Sequence, residues 1–158
     1  MKLIKQISLC VMLVGVWVIF VPLGASACTC DLPSARKTLK QQVVEARKQS
    51  KAVFSGEVVE VIADPQLAYL KVKFRVEKYW KGVFTNEVIV VTGRGGGDCG
   101  YRFEVGARYL VFAYGDDAKL ETNICQRTKE LAQAAEDLKL LGKGKSPTIY
   151  PTNLGLAQ

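Results

Sequence analysis

The sequence contains no histidine. This one absence removes Ser-His and Cys-His dyads, His-ligated zinc and imidazole acid–base chemistry, which are the commonest hydrolase designs. An enzyme of another design is not excluded by this. No RNA-binding or helix-turn-helix signature occurs, and no internal repeat. Once a leader is set aside, 20 basic residues against 15 acidic ones leave a net charge of +5 spread along the chain. That reads as a solvated surface, with no nucleic acid as partner. The glycine cluster Gly93-Arg94-Gly95-Gly96-Gly97 lacks the Gly-Lys-Ser/Thr ending of a phosphate loop and does not lead from a strand into a helix. It reads as a connector.

What is present begins with a targeting pattern. Lys2 and Lys5 precede an apolar run from Ile7 to Leu23, followed by the small residues Ala25-Ser26-Ala27. This is the layout of a secretory signal peptide over residues 1–27, cut before Cys28. Of 158 residues, 131 then remain, enough to bury a core unaided. The expected location is secreted or extracellular, with the periplasm or cell envelope as the alternative, and a membrane anchor follows if the leader is retained or Cys28 is lipidated.

Of five cysteines, Cys10 leaves with the leader, and Cys28, Cys30, Cys99 and Cys125 stay. An even number in an exported chain reads as two disulfides with three possible connectivities. Cys28 and Cys30 sit too close in sequence to bridge each other without strain, so each should reach one of the distant pair. Loops of roughly 70 to 95 residues closed this way would contribute about 4 to 5 kcal/mol apiece in the chain-entropy model. Lipidation of Cys28 would leave an odd cysteine, and the Leu usual three residues earlier is replaced by Ala25. A redox Cys-x-Cys pair would leave Cys99 and Cys125 without partners.

Pro33 and Ser34 suggest an N-cap, opening an amphipathic helix with Ala35, Leu39, Val43 and Ala46 on one face that ends near Ser50. Ala52–Ile62 reads as a strand interrupted by Gly56, a bulge or coil signal. After the Asp64-Pro65-Gln66 turn, Leu70, Val72, Phe74 and Val76 alternate with Lys71, Lys73, Arg75 and Glu77, a half-buried strand. Glu87–Thr92, Arg108–Tyr114 and Leu120–Asn123 complete five strands. Thr128 is placed to cap a last helix carrying Leu131, Leu138 and Leu141, stopped by Gly142. Residues 28–142 therefore form one mainly β domain, a five-stranded OB-like barrel with flanking helices, and 143–158 a flexible tail.

Cys28-Thr29-Cys30 at a mature N-terminus, Val53-Phe54-Ser55-Gly56, Asp98-Cys99-Gly100-Tyr101, Tyr109-Leu110-Val111-Phe112-Ala113 and then Cys125 follow one another in order. This series resembles the N-terminal inhibitory domain of the tissue inhibitors of metalloproteinases and the wider netrin-like family. The resemblance implies the pairings Cys28–Cys99 and Cys30–Cys125. It implies that the free amine and carbonyl of Cys28 would chelate the catalytic zinc of a target protease, with Thr29 entering the specificity pocket. Cys30, Asp31 and the segment Gly97, Asp98, Cys99 and Gly100 would line the same inhibitory ridge. The protein would need no cofactor of its own, since the zinc belongs to the partner, a zinc metalloprotease. An alternative within the same family is a binding or adhesion module without inhibitory activity; another is a lipid-anchored envelope protein. The family's third disulfide and its C-terminal domain have no counterpart, the loop between the first two strands is short, and Asp31 stands where the inhibitors usually carry an apolar residue.

Overall fold

A computed structural model describes residues 28–30, 37–63, 65–95 and 97–148. The expected leader, Asp31, Ser34 and Ala35 lie outside them. Helix α1 spans Leu39–Gln49, followed by strands β1 (Ala52–Ala63), β2 (Tyr69–Lys81), β3 (Glu87–Gly93), β4 (Arg108–Gly115), β5 (Leu120–Glu121) and β6 (Lys129–Glu130). A 3-10 turn (Leu131–Gln133) leads into helix α2 (Ala135–Leu141). Among the described residues no helix is long and apolar enough to cross a membrane.

The strands run β1-β2-β3-β5-β4 and close through a β1–β4 pairing into a five-stranded barrel. β3 and β5 are parallel; the other neighbours are antiparallel. Closure requires β1 to serve two partners. Its first half pairs with β4 from Ala52 to Glu57, while its length to Ala63 pairs with β2 through three register shifts. One shift falls between Ser55 and Gly56, where a Cβ would stand 2.5 Å from the Arg75 carbonyl oxygen. The interior glycine is therefore the point at which the strand coils tightly onto β2.

The alternation in β2 is realised: Val72, Phe74 and Val76 are buried, and Lys71 and Arg75 are exposed. Inside the barrel these meet Phe54, Val58, Val90, Tyr109 and Val111. β1 and β4 are buried on both faces, because Val53, Leu110 and Phe112 point outward against Val43 of α1, Leu141 of α2 and Ala134, the residue before α2. That explains the continuous apolar run of β4, which alternation alone would not require.

Three local expectations are corrected. Helix α1 is capped by Thr38 in a capping box with Gln41, four residues after Ser34. The fifth strand is short, Leu120–Glu121. Thr128 caps no helix: its buried hydroxyl accepts from the Phe112 N–H at 3.0 Å and bonds the Thr122 hydroxyl at 2.8 Å. The last helix begins later, at Ala135, with the buried carboxylate of Asp137 held by Arg127 and Lys129. Gly142 does terminate it, at φ 72°. The segment from Gly142 to Thr148, most of which belongs to the expected tail, is seated on the barrel. Lys145 exchanges two backbone hydrogen bonds with Tyr79, and the Thr148 N–H donates to the Phe84 carbonyl.

Candidate functional site

β3 ends at Gly93, paired with Tyr69 at the start of β2, and the glycine-rich loop leaves the barrel there. The loop is organised around a single carboxylate. Asp98 accepts from the backbone N–H groups of Arg94 at 2.6 Å, Gly95 at 2.7 Å and Gly100 at 3.0 Å. The Gly100 and Arg94 amides hold its carboxyl below the usual carboxylate range, outweighing the small effect of burial, and Gly95 adds to them. The turn passes through Cys99 at φ 60°, the one non-glycine residue with positive φ among those described. The Arg94 guanidinium donates to the Leu67 carbonyl, joining the loop to the β1–β2 turn.

Two disulfides then bring the segment Cys28–Cys30 to this end of the barrel. Cys28 bonds Cys99 with 5.5 Å between Cα atoms, and Cys30 bonds Cys125 with 5.1 Å. Cys28 Sγ lies 3.3 Å from the Gly97 carbonyl oxygen; a half-cystine carries no proton, so this is a packing contact. The two disulfide loops are themselves linked, since the Ile124 N–H donates to the Cys99 carbonyl at 2.9 Å. Asn123 folds back to accept from the Cys125 N–H at 2.9 Å. Thr29 sits between the two anchored half-cystines and is exposed.

Beneath the loop lies an aromatic floor. Tyr101, Phe103 and Tyr109 pack on one another, and Phe103 meets Phe74 edge-on at 5.2 Å. The Tyr101 N–H donates to Thr92 Oγ1, and the Tyr109 hydroxyl accepts from the Glu104 N–H. Burial raises the pKa of both phenols, so they stay neutral and act as packing groups.

Of the residues singled out from the sequence, Cys28, Thr29, Cys30, Gly97, Asp98, Cys99 and Gly100 come together at this end of the barrel; Asp31 lies outside the described residues. Gly97 and Asp98 are exposed and Gly100 is buried. Asn123 and Ile124 were not anticipated, yet they border both disulfides, and Ile124 is exposed, at 50% of its surface. Their signal was the partnership of Cys125, which carries its sequence neighbours to wherever Cys30 is held. Among the described residues no group of three His, Cys, Asp or Glu side chains could hold a metal ion. What the edge offers chemically is main-chain carbonyls, the Thr29 hydroxyl on a covalently pinned arm and the apolar side chain of Ile124 in the neighbouring loop.

Compared with known proteins, the sequence matches no family model and no curated protein.

Proposed function

We propose that the protein is an exported inhibitor of zinc endopeptidases that acts through the Cys28 edge and performs no catalysis itself. The observation that carries this reading is the exposed Thr29 held between two half-cystines, each tied to a different loop of one barrel end. An arm fixed in this way loses little conformational freedom when it docks, so less of the contact energy is spent on ordering. The resemblance to the inhibitory domain of the tissue inhibitors of metalloproteinases assigns the roles: Cys28 to the metal, Thr29 to the pocket, and Cys30, Asp31 and the Gly97–Gly100 segment to the flanks.

The chemistry is consistent with those roles. A catalytic zinc keeps one coordination position open for water or substrate. An α-amine, with a reference pKa of about 7.7 to 8.0, is partly neutral at pH 7 and can offer its lone pair more readily than a lysine. The metal would be supplied entirely by the target. Signal cleavage before Cys28 is the condition for all of this, because an amide nitrogen in an uncut chain has no lone pair to give.

The test is N-terminal mass analysis of the exported protein followed by inhibition assays across a panel of zinc proteases. The native form should inhibit at least one; a form with one extra residue before Cys28, or with an acetylated amine, should not. Inhibition by none of the three would move the assignment to a netrin-like binding module, and equal inhibition by all three would place the inhibitory contact away from the zinc.

A further inference from the structure

The far end of the barrel carries a second surface of different chemistry. Three segments are stitched together there: the C-terminal turn of α1, the last residues of β2 and the stretch after α2. Lys81 Nζ donates to the carbonyls of Arg47, Lys48 and Ser50, closing the end of α1. The Arg47 guanidinium donates to the Trp80 carbonyl, and the Trp80 indole N–H donates to the Gly142 carbonyl at 2.8 Å. Lys145 pairs with Tyr79 through the backbone, and Lys78 Nζ donates to the Ser146 hydroxyl.

These segments gather Arg47, Lys48, Lys78, Lys81, Lys143 and Lys145 in one region. None of the six takes part in an ion pair among the described residues. Residues 78–82 and 142–148 contain no carboxylate, and the one in α1, Glu45, is occupied by Lys37. Further back in β2, Lys73 is matched by Glu87 and Arg75 by Glu57, while Lys71 has no ion pair among the described residues. Like charges crowded without counter-charges repel and disfavour the compact state. Their neutralisation by an external polyanion is favourable in proportion to their number.

We infer that this face docks the protein onto an anionic phospholipid surface. Three observations select a bilayer over a polyanionic chain. The cations are distributed over a helix end, a strand end and a loop, and do not follow one continuous element. The neighbouring stripe of α1 places Val44, 58% exposed, between Lys40 and Lys48 at four-residue spacing, and an apolar side chain among lysines is accommodated at a headgroup boundary. The Trp80 indole is engaged by Gly142 and covered by Gly144, so it provides no platform for stacking a nucleic-acid base. Orientation adds a consequence. Lys78 lies nine residues along β2 from Tyr69, roughly 30 Å for an extended strand, and Tyr69 pairs with Gly93 at the root of the disulfide-pinned edge. A molecule resting on its basic face would hold the Cys28 edge away from the membrane.

The experiment is co-sedimentation of the exported, disulfide-bonded chain with vesicles of equimolar phosphatidylglycerol and phosphatidylcholine, and with phosphatidylcholine alone. Binding is expected only to the anionic vesicles. It should be lost on going from ~0.1 M to ~1 M salt, where the Debye length falls from about 10 Å to about 3 Å. Each cation near such a surface is worth roughly a fivefold factor, so Lys48→Gln, Lys78→Gln, Lys143→Gln and Lys145→Gln combined should weaken binding on the order of a hundredfold or more. A second variant with the same change in net charge, Lys71→Gln, Lys73→Gln, Arg75→Gln and Lys119→Gln, should keep most of it; unfolding midpoints of both variants establish that they are folded. Equal loss in the two variants would reduce the effect to net charge and overturn the assignment. Equal binding to neutral vesicles would overturn it too, as would retention by an immobilised sulfated polysaccharide with no binding to vesicles.

Discussion

Gly100 lies against the backbone of Gly93 so closely that a methyl group on Gly100 would overlap the Gly93 carbonyl. The loop that receives Cys28 is thus closed by a contact between two glycines, and Gly100 is buried in it. Its φ is not positive, so alanine would be barred by space alone. Gly100→Ala should destabilise the protein by about 1 to 3 kcal/mol, the usual range for overpacking. Urea unfolding would measure it; an unchanged midpoint would mean the loop can open without cost.

Asp98 should be the group that keeps this loop in shape. Its carboxyl, held low by the Gly100 and Arg94 amides, should titrate below the usual carboxylate range in an NMR pH series. The sign follows from the lowered folded value: what it contributes is fully present above its unfolded pKa, about 3.9, and is lost as pH falls through the folded one. Asp98→Ala should speed hydrogen exchange at the Arg94, Gly95 and Gly100 amides while leaving the barrel amides protected. Unchanged exchange at those three would show that the loop is shaped by the disulfide and not by the carboxylate.

The two faces of β2 give a paired test. Phe74 is fully buried and meets Phe54 edge-on at 5.3 Å. Phe74→Ala should therefore cost about 3 to 5 kcal/mol. Lys73 points outward to Glu87 at 2.8 Å, and Lys73→Ala should cost no more than about 1 kcal/mol, as for other surface pairs. Similar losses in thermal or urea unfolding would contradict the burial pattern.

That alternation was legible because each residue of β2 reports its own side of the sheet. The bulge glycine in β1 and the stop at Gly142 were legible for the same reason: a backbone requirement is written locally in the residue that meets it. Thr128 is misleading in sequence because a threonine followed by Lys129, Glu130 and Leu131 carries an N-cap pattern, while its actual partners are Phe112 in β4 and Thr122, the residue after β5. The cap of α1 was misplaced although Thr38 and Gln41 spell a capping box, because Pro33 and Ser34 offer a competing start signal. At the candidate site the cysteines named the loops that meet, but Ile124 and the Arg94–Leu67 link exist only once the loops are folded against each other.

Asp137 offers a second acid-side prediction. It is buried in the first turn of α2, 2.7 Å from both Arg127 and Lys129. Burial pushes its pKa up, but the two cations outweigh burial and the net shift is downward. Stability from this group is present above about pH 4 and declines as pH falls through the lowered folded value. Asp137→Ala would leave two cations without their counter-charge, a change that costs about 3 to 5 kcal/mol when fully buried. Arg127 and Lys129 keep partial access to water, so the loss should fall at the low end. Denaturation at pH 7 would measure it, and in the variant the acid-side fall in stability should be shallower.

The disulfides permit the stability of the fold and the ordering of the arm to be separated. Their sequence separations are 71 for Cys28–Cys99 and 95 for Cys30–Cys125. Removing either should lower stability by about 4 to 5 kcal/mol in the chain-entropy model. None of the four cysteines belongs to either hydrophobic core, so the circular-dichroism spectrum of the barrel should survive. Cys28→Ser combined with Cys99→Ser would still present an N-terminal amine and carbonyl after signal cleavage, so the atoms assigned to the target's zinc are unchanged. Only their tether is gone, and the cost of ordering the arm would return on binding. Inhibition by this double variant should therefore be weaker than native yet still abolished by acetylation of its amine. Native-strength inhibition would mean that pinning contributes nothing to binding. A weak activity insensitive to acetylation would mean that the amine was never on the metal.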